Sequence, residues 1–280
     1  MERIKHEDLM EAGVHFGHLR KKWNPKMRPY IFAERKGIHI IDLNKTEEML
    51  FEAANAMKGI IKSGKKVLFV ATKKQAKDVV EKCAQQLGMP YVTERWLGGM
   101  LTNFSTIRKS VKKMQSIEKM ISDTNTNITK KEKLMLAREK AKLEKVLGGV
   151  AQLSRLPSAL YLVDIMHEHI ALAEAKRLNI PTFAMVDTNS DPTTVDYAIA
   201  ANDDATKSIT VITEYLTAAM NEGNEERKLE KLETDSSGKD SEEAETEEEM
   251  DEAEEASEEL PNEETVVLPD SEPTEEAKAE

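Results

Sequence analysis

Apolar residues recur along this chain in two rhythms that take turns. Val67-Leu68-Phe69-Val70-Ala71 is an unbroken apolar run. So short a run with no polar face predicts a strand covered on both sides. Ala159-Leu160-Tyr161-Leu162-Val163 and Thr182-Phe183-Ala184-Met185-Val186 predict two more of that kind. Tyr91-Val92-Thr93 is a shorter strand and Tyr197-Ala198-Ile199-Ala200 a weaker one. Between these runs the spacing becomes helical, over about Lys74 to Gln86 with a stop at Gly88, Glu168 to Leu178, and Asp204 to Met220. Upstream, Leu50, Ala53, Ala54, Met57 and Ile61 mark another helix. Asn44 is its expected cap, with Glu47 at the capping-box position and an end near Gly64. Strands alternating with helices imply right-handed crossovers and a parallel sheet flanked on both faces.

One stretch breaks the rhythm. Ile107, Val111, Met114, Ile117 and Ile121 form one stripe of a helix capped by Ser105. A polar turn, Asp123-Thr124-Asn125-Thr126-Asn127, follows. Thr129 and Glu132 then make a second capping box, ahead of Leu136, Leu143 and Leu147. Two amphipathic helices with a short polar loop predict an antiparallel coiled-coil hairpin over residues 105–147. It is inserted between the second and third core strands. Residues 44–104 and 148–221 make the α/β domain around it.

The ends are different again. In residues 1–43 the prolines Pro25 and Pro29 and a cluster of cations argue against a packed helix. Tyr30 to Ala33 and Ile38 to Asp42 read as two strands of a hairpin around Arg35-Lys36-Gly37. Residues 222–280 are rich in Glu, Asp, Ser and Thr. Such a segment buries too little apolar area to offset its ordering entropy, so an acidic disordered tail is expected. Its one apolar spot is Val266-Val267-Leu268.

Charge sharpens the division. The tail carries 26 Asp+Glu against 5 Lys+Arg, and the remainder 35 Lys+Arg against 26 Asp+Glu. The overall formal charge of −12 therefore hides a basic body. Basic bodies are drawn to polyanions, through phosphate neutralisation above all. The tail would either fold back over that body when RNA is absent or simply keep the free chain soluble. One cysteine, Cys83, excludes an internal disulfide and a cysteine-based zinc site, and its neighbours make it a core residue. With no apolar run long enough to span a bilayer and no apolar leader after Met1, the expected setting is the cytosol.

Catalytic chemistry finds little support. Thr72-Lys73-Lys74-Gln75, not a glycine-rich loop, follows the first core strand. Ser63-Gly64-Lys65-Lys66 precedes a strand, the wrong context for a phosphate loop. Asp164 and Asp187 end core strands, where α/β folds place their sites. With His18 and Asp203 they are weak candidates for holding a divalent ion, against the plainer reading of turn and cap residues. The stronger signal is two loops that mix cations, aromatics and glycines. Arg20, Lys21, Lys22, Trp23, Lys26 and Arg28 make the first; Arg95, Trp96, Gly98, Gly99 and Asn103, running into Arg108, Lys109, Lys112 and Lys113, make the second. Guanidinium forks and ammonium groups suit phosphates, and the tryptophans either stack on bases or anchor the loops.

At these residues the chain resembles the bacterial small-subunit ribosomal protein two family. The resemblance rests on His15-Phe16-Gly17-His18 with Trp23-Asn24-Pro25-Lys26-Met27, and on Gly37-Ile38-His39-Ile40-Ile41-Asp42-Leu43. It also takes in Tyr30-Ile31-Phe32, and it continues through Trp96-Leu97-Gly98-Gly99-Met100-Leu101-Thr102-Asn103-Phe104, Val163-Asp164 with Glu174-Ala175, Ile180-Pro181 and Asp187-Thr188-Asn189-Ser190-Asp191-Pro192. It implies a flavodoxin-like sheet with an inserted coiled-coil hairpin and no catalytic activity; beyond the weak divalent-ion candidates, no cofactor is expected. It also implies a seat on small-subunit ribosomal RNA and help in holding the mRNA-binding ribosomal protein one. A nucleotide-dependent enzyme and a protein-only scaffold are the rival readings.

Overall fold

The computed structural model describes residues 3–123 and 129–255. They fall into two compact units, residues 1–229 and 230–280, dividing after Leu229 rather than after Asn221.

The body opens with α1 (His6–Glu11) and β1 (Phe16–Leu19). The β2 (Ile31–Arg35) and β3 (Ile38–Ile41) pair follows, then α2 (Leu43–Lys62). After these come β4 (Val67–Val70), α3 (Lys77–Leu87) and β5 (Tyr91–Val92). The helices α4 (Phe104–Ser122) and α5 (Lys130–Leu147) come next. Then follow β6 (Ala159–Val163), α6 (His169–Arg177), β7 (Thr182–Val186), β8 (Tyr197–Ala200) and α7 (Thr206–Glu255).

The main sheet has five strands in the order β5-β4-β6-β7-β8, and every pairing is parallel. That order reverses between β4 and β6, the flavodoxin-like arrangement the family resemblance implied. Alternate residues of each strand feed opposite buried layers. Phe69, Tyr161, Val163, Phe183 and Met185 meet α2, α3 and α7 on one face. Leu68, Val70, Leu160, Leu162 and Ala184 meet α6, the loop at Trp96–Leu101 and the base of α4 on the other.

A second, antiparallel sheet in the order β1-β3-β2 sits beside the carboxyl ends of β7 and β8. β2 and β3 confirm the expected hairpin, and Lys36 (φ 51°) and Gly37 (φ 75°) supply its turn. β1 was not expected, because Gly17 interrupts any alternation. That glycine is needed for close approach: a Cβ there would lie 2.6 Å from Thr188 Cγ2. The same contact lets His18 N donate to Thr188 Oγ1 at 2.8 Å.

Several boundaries differ from expectation. α2 is capped by Asp42, whose side chain accepts from Asn44 N, not by Asn44. α4 begins at Phe104, after Asn103, and not behind a Ser105 cap. α7 begins at Thr206 and not at Asp204, and ahead of it the Asn202 side chain receives the free backbone N–H groups of Asp204 and Ala205. α7 also runs past Met220. Glu222 and Glu226 on its next turns pair with Lys58 at 3.1 and 2.7 Å, and Gly223 lets α7 lie close against α2. These residues belong to the body, although their composition reads as tail. Residues 256–280, including Val266-Val267-Leu268, lie outside the described residues.

Between β5 and β6 stand α4 and α5, linked across by Lys113–Glu139 at 2.5 Å and Lys140–Glu118 at 2.7 Å. The Thr129–Glu132 capping box is present at the start of α5. The coiled coil itself is not confirmed. Val111, Met114 and Ile117 are buried on α4, but α5 buries only Leu147, so the apolar seam that sustains a supercoil is incomplete.

Candidate nucleic-acid interface

The carboxyl ends of the parallel strands are the usual ligand position of this architecture, at the point where strand order reverses. Here that crevice is occupied by the protein's own charges. Lys73, just after β4, reaches Asp164 at 3.2 Å, Asp203 at 2.8 Å and Asp204 at 2.7 Å. Beside it, Glu168 Oε1 accepts from Thr72 N at 2.7 Å and Thr72 Oγ1 at 2.5 Å. His18 lies between Asp187 (3.0 Å) and Asp204 (3.3 Å).

Burial opposes the charge on Lys73, but hydrogen bonds and carboxylate charges outweigh it, and its pKa rises above the usual lysine value. The hydrogen bond to Asp187 raises the His18 pKa, helped by the charges of Asp187, Asp203 and Asp204 against burial. Asp203 moves the other way from a normal ion-pair partner. Burial, then the charges of Asp164 and Asp187, push its pKa up to about 7. One ammonium divided among three carboxylates cannot neutralise the most deeply buried of them.

Of the ion candidates from sequence, the structure brings His18 and Asp187 into contact. His18, Asp203 and Asp204 offer ligand atoms within 4.8 Å of one another, and Asp203 Oδ2 is buried without a hydrogen-bond partner. Lys73 already supplies a cation to Asp203 and Asp204, so the arrangement is first of all an electrostatic clasp. It fastens β1 to the ends of β4, β6, β7 and β8, and its net charge repels phosphate.

The cations lie around this clasp on neighbouring loops. Arg20, Lys21 and Lys22 form one tight helical turn, and all three are exposed. Arg20 reaches Glu34 at 3.4 Å. Trp23 is half-buried, with its ring 5.2 Å from that of His39. Lys26 is engaged by Asp191 at 2.6 Å and by Thr193. Arg28 is exposed, while Met27 between them is fully buried and seats the loop on the second core layer.

The second loop follows β5 and leads into α4. Trp96 is buried and donates its indole N–H to Glu174, so it anchors the loop and does not face bases. Arg95 and Asn103 are exposed on either side of it. Asn103 Oδ1 accepts from Thr106 Oγ1 at 2.8 Å. Arg108 is half-buried, and its guanidinium donates to Leu153 O at 2.8 Å, so it braces the hairpin base. Lys109, Lys112 and Lys113 are exposed along α4, and Lys113 faces Glu139. Met27 and Trp96 belong to one buried layer, so both loops rest on the same support.

Lys73 was not singled out from sequence, and Glu174 entered only with Ala175 as part of the family resemblance, with no role attached. Their partners lie far away along the chain, and no local spacing signals them. For Glu174 the local hint was an acidic residue on the helix face that also carries Ala171, Leu172 and Ala175.

A flavodoxin-like sheet with its ligand crevice filled by ion pairs, a second small sheet clasped to its rim and a lysine-bearing helical hairpin define an α/β protein of flavodoxin-like class. The comparisons make the class specific. The ribosomal protein S2 family matches residues 9–223. "Small ribosomal subunit protein uS2" of Parabacteroides distasonis is 61% identical over 238 residues, covering 85% of this chain and 86% of the relative. The protein of the same name from Cytophaga hutchinsonii is 62% identical over 231 residues, 82% of this chain and 91% of the relative. That of Bacteroides thetaiotaomicron is 62% identical over 239 residues, covering 85% and 86%. The chain belongs to the ribosomal protein S2 family, structural components of the small ribosomal subunit and not enzymes.

Proposed function

We propose that this protein binds small-subunit ribosomal RNA through the segments Arg20–Arg28 and Arg95–Lys113, as a cytoplasmic, ribosome-associated component of translation. The observation that carries this reading is the placing of Lys21, Lys22, Arg28, Arg95, Lys109 and Lys112. All are exposed, and among the described residues none of them is in an ion pair; they stand on loops and a helix start whose backbones are fixed by buried anchors. Cations on a fixed frame can meet phosphates without first being ordered. Trp23 and Asn103 add a ring edge and an amide, while Arg20, Lys26, Arg108 and Lys113 divide their donors between the fold and any ligand.

The test is incorporation. The charge reversals K21E, K22E and R28E together, and R95E, K109E and K112E together, should each lower occupancy on small subunits by tenfold or more in moderate salt. Each lost phosphate contact should also reduce the slope of log affinity against log salt by about 1. Wild-type occupancy and slope in both triple variants would exclude these segments. Family membership further supports a part in holding the mRNA-binding ribosomal protein one. Co-sedimentation of that protein with subunits lacking or containing this chain decides the point.

A further inference from the structure

The loop between β5 and α4 is folded around one buried side chain from another element. Glu174 of α6 is 8% exposed. Its Oε1 accepts from Trp96 Nε1 at 3.1 Å and from Gly99 N at 2.8 Å. Its Oε2 accepts from Leu101 N at 3.0 Å, Thr102 N at 3.0 Å and Thr102 Oγ1 at 3.1 Å. A carboxylate offers about four lone-pair sites, so this one is saturated, and by donors of a single loop.

Three backbone N–H groups converging with an indole and a hydroxyl form a concavity built for an anion. Gly99 at φ +84° makes that turn, and Asn103 N closes it on Gly99 O at 2.8 Å. The anion it holds is internal. A phosphate therefore cannot enter, and the amides of the glycine-rich stretch do not contact RNA through this hollow. Groups on the rim remain for RNA: Arg95 before it, Asn103 after it, and Lys109 one helical turn into α4. Burial by itself would raise the Glu174 pKa. The hydrogen bonds from Thr102, Trp96, Leu101 and Gly99 overcome that and hold it below the usual glutamate value. The carboxylate is thus ionised whenever ribosomes work.

We propose that Glu174 is a positioning residue for RNA recognition: from inside the fold it fixes residues 96–102 in the shape that presents Arg95, Asn103 and Lys109 to ribosomal RNA. The proposal rests on the RNA-binding reading above.

Charge and geometry make opposite predictions, which gives a clean test. Removing a negative charge should by itself strengthen binding to any polyanion. Loss of positioning should weaken binding to structured RNA only. The full-length E174Q protein is therefore titrated against small-subunit ribosomal RNA and against polyuridylate. The expected result is an affinity about tenfold lower for the first and unchanged or higher for the second. E174D keeps the charge and retracts it by one methylene, and it should lose affinity for ribosomal RNA as well.

The exposed T102V removes a single donor without touching the core and should lower affinity two- to threefold, which keeps the question open to answer even if E174Q folds poorly. Two readouts separate positioning from mere stability. The Trp96 indole proton resonance should shift in E174Q. R95E should also do less harm in the E174Q background than in wild type, because a displaced loop no longer presents Arg95. E174Q and T102V proteins that bind ribosomal RNA as tightly as wild type overturn the proposal. A wild-type protein with no preference for ribosomal RNA over polyuridylate overturns the reading beneath it instead.

Discussion

Lys73 is the residue on which the carboxyl end of the sheet depends. Its ammonium, 15% exposed, faces Asp164, Asp203 and Asp204. Deleting one partner of a buried charge group leaves the others uncompensated, typically at about 3–5 kcal/mol. K73M keeps the bulk and removes the charge, so urea unfolding should show a loss of about 3 kcal/mol or more near pH 8. The loss should shrink toward pH 5. Asp203 titrates near 7 in the fold, above its unfolded value, so the folded state takes up its proton first and stability falls as pH rises between the two values. Without Lys73 that dependence steepens, because the folded pKa rises further. A K73M defect of equal size at both pH values would show that the clasp is packing and not charge. None of this was visible from sequence, where Lys73 registered only as a residue in a loop without the glycines of a phosphate site. The aspartates were noticed as strand-end residues, but a cation arriving from β4 to meet groups after β6 and β8 leaves no local pattern.

At the scale of elements the sequence was far more informative, and the reason is periodicity. Strands buried on both faces had to be continuous apolar runs, and β4, β6 and β7 are. The stripes of α4 and the capping box of α5 likewise announce themselves within a few residues. What failed is what depends on distant packing. β1 exists because Gly17 can approach Thr188, and α7 continues because Lys58 of α2 receives two of its acids. The hairpin shows which local features matter energetically. Its cross-pairs Lys113–Glu139 and Lys140–Glu118 lie at the surface, and such pairs contribute about 0–1 kcal/mol. The Thr129 cap satisfies otherwise unpaired helix-end N–H groups, and replacing such a cap by alanine costs about 1 kcal/mol. T129A should therefore speed amide hydrogen exchange in the first turns of α5 by several-fold, while E139Q should leave it within a factor of two. Equal effects would mean that the hairpin is held by its charges, and salt would then loosen it.

For the whole molecule the governing fact is the division of charge between two units. Residues 1–229 carry a formal +8 and residues 230–280 a formal −20. A polyanion approaching the free chain therefore meets a molecule that is acidic overall, although every proposed contact lies on the basic unit. Electrostatic steering acts over about 10 Å at 0.1 M salt, so a tethered acidic segment raises the local cost of non-specific approach without any fixed contact. It should weigh less on binding to the true site, where shape and many simultaneous contacts add to charge. Deleting residues 230–280 should then increase affinity for random RNA severalfold at 50 mM salt, with the effect fading by 300 mM. Occupancy on small subunits should change by less than twofold. Filter-binding titrations over that salt range, set beside subunit reconstitution, read both quantities on the same protein. If truncation leaves random-RNA affinity unaltered at low salt, the acidic segment has no screening role and the selectivity of the chain comes from its two loops alone.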